Sequence, residues 1–192
     1  MDTRPEQLQQ TARSLAAKAG LPAVELRVTA HRGIAFAEQN GSGLMVTVDD
    51  ALLDASVPVQ RAVIAHEIAH GALGHCAPRP LRSRIGAFLL ALAGLPVLAV
   101  LVATAPHPPW WCGPLVSVDA IAMLAFLALT NSGLRRREFE ADRYAARTLR
   151  EPATAEFARW ASERFPHGRA PRLLRPWWTH PTWEQRLAAL ES

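Results

Sequence analysis

The stretch AVIAHEIAHGALGH, from Ala62 to His75, sets His66 and His70 four residues apart with Glu67 beside the first. On an α-helix that spacing is one turn, so both imidazoles leave the same face and can reach one cation. Imidazole nitrogen suits zinc at about 2.0–2.1 Å, and a catalytic zinc site needs three protein ligands and an open position for water. Glu67 would not bind the ion. It is spaced to sit over the open position and take a proton from water whose pKa zinc lowers to about 7. A helix that simply packed into a core would not interrupt AVIA and IA with two imidazoles and a carboxylate. One zinc ion per chain is the expectation.

Three protein ligands require a third donor. The metzincin pattern, with glycine three residues after the second histidine and a third histidine three further on, is excluded. Those positions hold Leu73 and Cys76, with Gly74 and His75 out of register. His75 is read as a residue at the helix end. The segment RRREFEADRYAA offers a better donor: Glu138 and Asp142 are four apart and share a helical face, while Glu140 points elsewhere. Glu138 is the candidate third ligand. Asp142 can accept a hydrogen bond from the free ring nitrogen of a zinc-bound histidine and so fix its tautomer.

These residues need elements to position them. An opening helix is expected from about Pro5 to Lys18, stopped at Gly20-Leu21-Pro22. Three short strands follow, at 24–30, 33–39 and 43–48. The breaks at Gly33 and at Asn40-Gly41-Ser42-Gly43 suit hairpin turns, which predicts a small antiparallel sheet. Asp54 or Ser56 can cap the second helix, with Pro58 in its first turn, and that helix carries the histidines to about Cys76, before Pro78 and Pro80. The segment from Pro152 to Leu190 reads as one or two helices around a proline-rich stretch.

Between the two halves of this site lie two apolar runs. IGAFLLALAGLPVLAVLVATA, Ile85 to Ala105, carries no charge and is long enough to cross a bilayer as a helix. A second run spans Leu115 to Leu134, with Asp119 near its predicted outer end. Trp110 and Trp111 sit in the short neutral loop between them, as an interfacial aromatic belt would. Arg79, Arg82 and Arg84 precede the hairpin and Arg135, Arg136 and Arg137 follow it, so both termini and the histidine helix are expected on the cytoplasmic side.

At 192 residues the chain fits one domain, 1–192, with the hairpin inserted at 85–134. The formal net charge is +4 and the pI is near 10.0, with Lys18 the only lysine. No aromatic-interleaved basic stripe or nucleic-acid module accompanies that charge, so lipid or solubility accounts for it better than nucleic acid. Cys76 and Cys112 fit neither a disulfide framework nor a paired zinc motif and are read as free thiols. The polar N-terminal stretch lacks an apolar core, and no signal peptide is expected there. The fold class is therefore α+β and mainly helical.

The chain resembles the HtpX-type and CAAX-prenyl-type membrane metalloproteases, zincins of the gluzincin kind. The resemblance covers roughly Val24 to Leu190 and rests on HEIAHGALGH, the apolar hairpin, EFEAD and THPTWEQRLAAL. It implies a zincin-like fold, zinc on His66, His70 and Glu138, Glu67 as the base, and Asp142 hydrogen-bonded behind a ligand. It also implies a role for His180 or Arg186, in the terminal His-Pro segment and the arginine after it, one of which could steady an oxyanion. Integral placement in a bacterial inner membrane follows, with protein or peptide substrates and lipid as partners. There are departures. No apolar span precedes the histidine helix within these residues, and Ile34-Ala35-Phe36 stands where many members carry Asn-Ala-Phe. GLMVTV is expected to be an edge strand able to hold an extended peptide. A signal-gated sensor-type metalloprotease fits the terminal motif less well. A catalytically silent zinc-binding membrane module would not need Glu67.

Overall fold

The computed structural model of the chain describes residues 3–30, 34–41, 43–77, 100, 104, 110, 112–149, 153–164 and 180–191. The elements are α1 (Arg4–Lys18), β1 (Val24–Thr29), β2 (Ala35–Asn40), β3 (Gly43–Asp49), a 3-10 turn (Asp50–Asp54), α2 (Val57–Ala72), α3 (Cys112–Leu149), α4 (Ala153–Arg164) and α5 (Trp183–Glu191). The chain divides into two compact units, Met1–Ala77 with Leu134–Ser192, and Pro78–Gly133.

The first unit is built on α2. Its residues from Ala62 to Ala69 are all buried, because α1, α4 and the sheet cover it on several sides. Leu8, Leu15, Val46, Val48, Leu52, Ile64, Ile68 and Phe157 meet in one core. Helix and sheet come close at Gly71, where an added Cβ would lie 2.7 Å from Leu44 Cδ2. That approach holds the histidine face of α2 beside the sheet. Gln60 ties the helix start to the preceding turn, its side-chain amide donating to the carbonyls of Leu52 and Ala55 at 3.1 Å each. Ser56 occupies the N-cap position in extended conformation without a side-chain capping bond, and Pro58 lies in the first turn. Asp54 instead pairs with Arg4.

The sheet differs from the expectation. Its order is β1-β3-β2, with β1 parallel to β3 and β2 antiparallel to it, so it is mixed rather than antiparallel. The Asn40–Gly43 turn is a hairpin with Gly41 at φ 59, but the break before β2 is not, since β1 and β2 do not pair. GLMVTV is consequently the central strand, not an edge. Its burial suits that place: Val46, Thr47, Val48 and Asp49 are all buried, as a strand covered on both faces requires. Among the described residues the two edges are β1 and β2. That of β1 is partly satisfied by Gln9 of α1, whose side chain accepts from Leu26 N at 2.8 Å and donates to Val24 O at 3.2 Å.

In the second unit, Thr104 donates to the Val100 carbonyl at 2.7 Å, and the side chains of Val100, Trp110, Ile121 and Leu129 are exposed. Among the described residues no helix is long and apolar enough to cross a membrane. The first apolar run, 85–105, lies outside the described residues apart from positions 100 and 104, and the second falls within the span of α3.

Candidate metal centre

The histidine pair emerges from α2 as its spacing requires. His66 and His70 place their rings 4.8 Å apart, edge to face, with the two Nε2 atoms 3.2 Å from one another. The carboxylate of Glu138, on α3, closes the triangle: Oε2 is 3.5 Å from His66 Nε2 and Oε1 is 3.6 Å from His70 Nε2. These three residues form a group whose donor atoms all fall within 4.8 Å of one another. Tetrahedral donors about 2.0–2.2 Å from one zinc ion stand roughly 3.3–3.6 Å apart, so two imidazoles and a carboxylate at these separations suit that ion in both chemistry and spacing.

His66 is held from behind. Its Nδ1 lies 3.0 Å from Asp142 Oδ1, and Asp142 in turn accepts from Arg186, whose Nε is 2.8 Å from Oδ2 and whose Nη2 bonds Oδ1. Arg186 has only donors, so its Nη2, 3.2 Å from the same Nδ1, cannot be bonded to a protonated ring nitrogen. The consistent arrangement has Nδ1–H donating to Asp142, which turns Nε2 toward Glu138 and His70. Asp142 and Arg186 are 2% and 5% exposed, and the guanidinium lies over the Trp183 and Phe157 rings, 4.7 and 5.2 Å from their centroids. Phe157 and Trp183 also meet edge to face at 5.6 Å.

Burial and charge set the protonation states. Burial and Arg186 disfavour a proton on His66, but its bonds to Asp142 and Glu138 outweigh them and raise its pKa to about 9. Burial and the charge on His66 depress His70 to about 3. Burial pushes Glu67 up to about 7, against the pull of His66. Burial opposes ionisation of Asp142 too, yet the bond from His66 and the charge of Arg186 hold it down at about 2. Glu138 ionises well below the usual carboxylate range, because bonds from His180 and His66 overcome its burial.

A cleft of about 550 Å³ opens over these groups. Glu67 and His180 line it, as do Ile34, Ala35, Phe36 and Ala37 from the β2 edge and Phe157, Pro181 and Trp183 from the C-terminal elements. His180 is largely exposed, with Nδ1 3.4 Å from Glu138 Oε1. Every site residue picked from the sequence, namely His66, Glu67, His70, Glu138, His180 and Arg186, lines this one cleft, with Asp142 behind it. Sequence reasoning missed His75 and Cys76, which also line it. The Cys76 thiol is free, is pushed by burial up to about 11, and donates to the Ala37 carbonyl at 3.4 Å. Glu140 stays out of the cleft, bonded to Arg136 at 2.8 Å.

A helix presenting His-Glu-x-x-His toward a carboxylate from a second helix defines the class of zinc-dependent hydrolases built on that motif. The chain belongs to peptidase family M48, whose pattern it matches over residues 2–192. M48 peptidases are zinc metalloproteases, and the HtpX-type and CAAX-prenyl-type resemblance seen in the sequence points to this same family. Among solved structures the fold is similar to that of S. mikatae Ste24p, with a TM-score of 0.66 at 20% identity, over 95% of this chain and 49% of that one. This chain thus spans about half the length of that protein. No curated protein sequence matches it.

Proposed function

We propose that the chain is a membrane-anchored zinc endopeptidase that hydrolyses peptide bonds of protein substrates. The observation that carries this reading is the His66, His70 and Glu138 donor triangle at zinc-compatible spacing, with Glu67 in the same cleft. His66, His70 and Glu138 would hold one zinc ion, which supplies a Lewis acid for the scissile carbonyl and lowers the pKa of water. Glu67 takes the proton of the attacking water and returns it to the leaving amine nitrogen. Its burial raises its basicity to about 7, suited to accepting a proton near neutral pH. Asp142, bonded to His66 Nδ1, would keep that ring turned with Nε2 toward the ion. Arg186 is committed to Asp142, so among the described residues lining the cleft His180, exposed there, is the group placed to face the substrate and its developing oxyanion.

The substrate passes over β2, whose residues 34–37 line the cleft beside Glu67.

Anchoring rests on the runs 85–105 and 115–134 with their arginine flanks, supported by the exposed Ile121 and Leu129. On this reading, with the arginine flanks on the inner side, the catalytic unit and both termini lie on the cytoplasmic side of a bacterial inner membrane. The test is cleavage of casein, and of the chain itself, by detergent-purified protein with zinc, beside Glu67→Gln. Fragments from the parent alone, abolished by a chelator, are expected. Zinc bound by both proteins with no cutting by either would refute the endopeptidase and favour a silent zinc-binding module.

A further inference from the structure

The two histidines of the donor triangle are supported differently. His66 has Asp142 behind its Nδ1, but among the described residues no carboxylate stands behind His70 Nδ1. What faces His70 Nδ1 is another imidazole: His75 Nδ1, 3.1 Å away, with the rings 5.2 Å apart between centroids. On its far side, His75 Nε2 is 3.4 Å from Glu140 Oε2, and Arg136 Nε donates to Glu140 Oε1 at 2.8 Å.

Hydrogen-bond chemistry allows one consistent direction through this chain. Glu140 is held as a carboxylate by its ion pair with Arg136 at 2.8 Å. As a carboxylate it only accepts, so His75 carries its proton on Nε2. His75 Nδ1 then offers a lone pair, and the proton between the rings belongs to His70 Nδ1. That leaves the His70 Nε2 lone pair directed at Glu138 and His66, where a cation would lie. The opposite tautomer of His75 would leave Glu140 without a donor from the ring and, by donating to His70 Nδ1, would put the His70 proton on Nε2, facing the triangle.

The backbone makes this contact a built feature. Gly74, at φ 69, turns the chain out of α2 in a left-handed conformation that favours glycine. The His75 N–H thereby returns to the His70 carbonyl at 2.8 Å and the Gly74 N–H to the Gly71 carbonyl at 3.1 Å, the double closure of a Schellman motif. His75 is thus hydrogen-bonded to His70 through the backbone and brought beside it through the ring. Arg137 adds a bond to the His75 carbonyl at 3.4 Å.

We propose that His75 is a positioning residue for the metal centre, fixing the tautomer and orientation of His70 through an Arg136–Glu140–His75 relay. This rests on the zinc reading above. The test measures the zinc dissociation constant of the detergent-solubilised full chain by competition with a chromophoric chelator, alongside the thermal midpoint of the metal-free protein. His75→Ala is expected to weaken zinc binding by about 10–100-fold, the usual range for loss of a partner behind a metal-bound histidine, with little change in the metal-free midpoint. His75→Asn, whose carbonyl oxygen takes the place of Nδ1, should regain most of that loss. Glu140→Ala, at a more open position that leaves the core intact, should weaken binding severalfold. Zinc affinity of His75→Ala within about twofold of the parent overturns the proposal, as does Asn performing no better than Ala, or Glu140→Ala binding unchanged. A parent that binds no zinc sinks the metal reading itself, a result distinct from these and fatal to both.

Discussion

Replacing Arg186 with methionine keeps much of the side-chain volume over Trp183 and Phe157 and removes the charge that neutralises Asp142. Both partners are buried, and Asp142 would be left with His66 alone. Removing one member of a buried, hydrogen-bonded ion pair costs about 3–5 kcal/mol, mostly because the remaining charge is stranded. For a domain of this size each kcal/mol shifts the midpoint by about 2–4 °C, so Arg186→Met should lower the metal-free midpoint by roughly 6–20 °C. Asp142→Asn in the same chain removes the stranded charge while keeping an oxygen for His66 Nδ1–H, and the double variant should recover at least half of the loss. The pH dependence has a definite sign. The native pKa of Asp142, about 2, lies below its ordinary 3.8, so its contribution is present above about pH 4 and disappears as pH falls toward 2. The acid limb of the parent should therefore begin lower than that of Arg186→Met. Tryptophan fluorescence during heating, across a pH series, is the assay. A single variant within about 2 °C of the parent, or a double variant worse than the single one, would refute the pairing as the reason Arg186 is buried.

Glu67 shows the opposite sign. Its pKa is raised to about 7, so burial of the ionised form destabilises the fold as pH rises from about 4.5 through 7. Glu67→Gln should raise the metal-free midpoint by several degrees at about pH 8 and by nothing at about pH 4.5; equal shifts at both would contradict this. Zinc must displace the proton that His66 holds up to about pH 9, so apparent zinc affinity should rise about tenfold per pH unit between about pH 7 and 8.5, and a flat profile in chelator competition would show His66 to be neutral in the free site.

Much of the site was legible because helical geometry converts sequence spacing directly into shared faces. His66 with His70, and Glu138 with Asp142, are pairs at i, i+4 on two helices, and each pair does meet the other. Sheet order was less legible, because alternation reveals which face a residue takes and not which strand it joins. GLMVTV was assigned to an edge, although a run in which Val46, Thr47 and Val48 are all buried has the character of a central strand. The helix of Gln9 had no visible link to β1, since a side chain that substitutes for a strand leaves no periodic trace. His75 escaped for a different reason. The residues after His70 are out of register for metal ligation, and His75 reads from the pattern as no more than a helix end. Gly74 carried the relevant signal, because a glycine ending the helix folds the next side chain back over the last turn.

One stretch of α3 takes three distinct parts in this site. Glu138 faces both imidazoles, Asp142 stands behind His66, and Glu140 stands behind the ring that holds His70. Spacing of two residues sends Glu140 away from the cleft, while spacing of four keeps Glu138 and Asp142 on the cleft side. Three carboxylates within little more than one turn repel one another, and each faces its own cation or imidazole: Arg136 on Glu140, Arg186 on Asp142, and His180 and His66 on Glu138. The arginines are permanent cations, whereas the imidazoles around Glu138 can give up a proton. A divalent ion entering the triangle would therefore meet only labile protons, while both arginine-backed chains hold the His66 and His70 rings in place. The orientation of the two rings is thus set by groups that the ion need not displace.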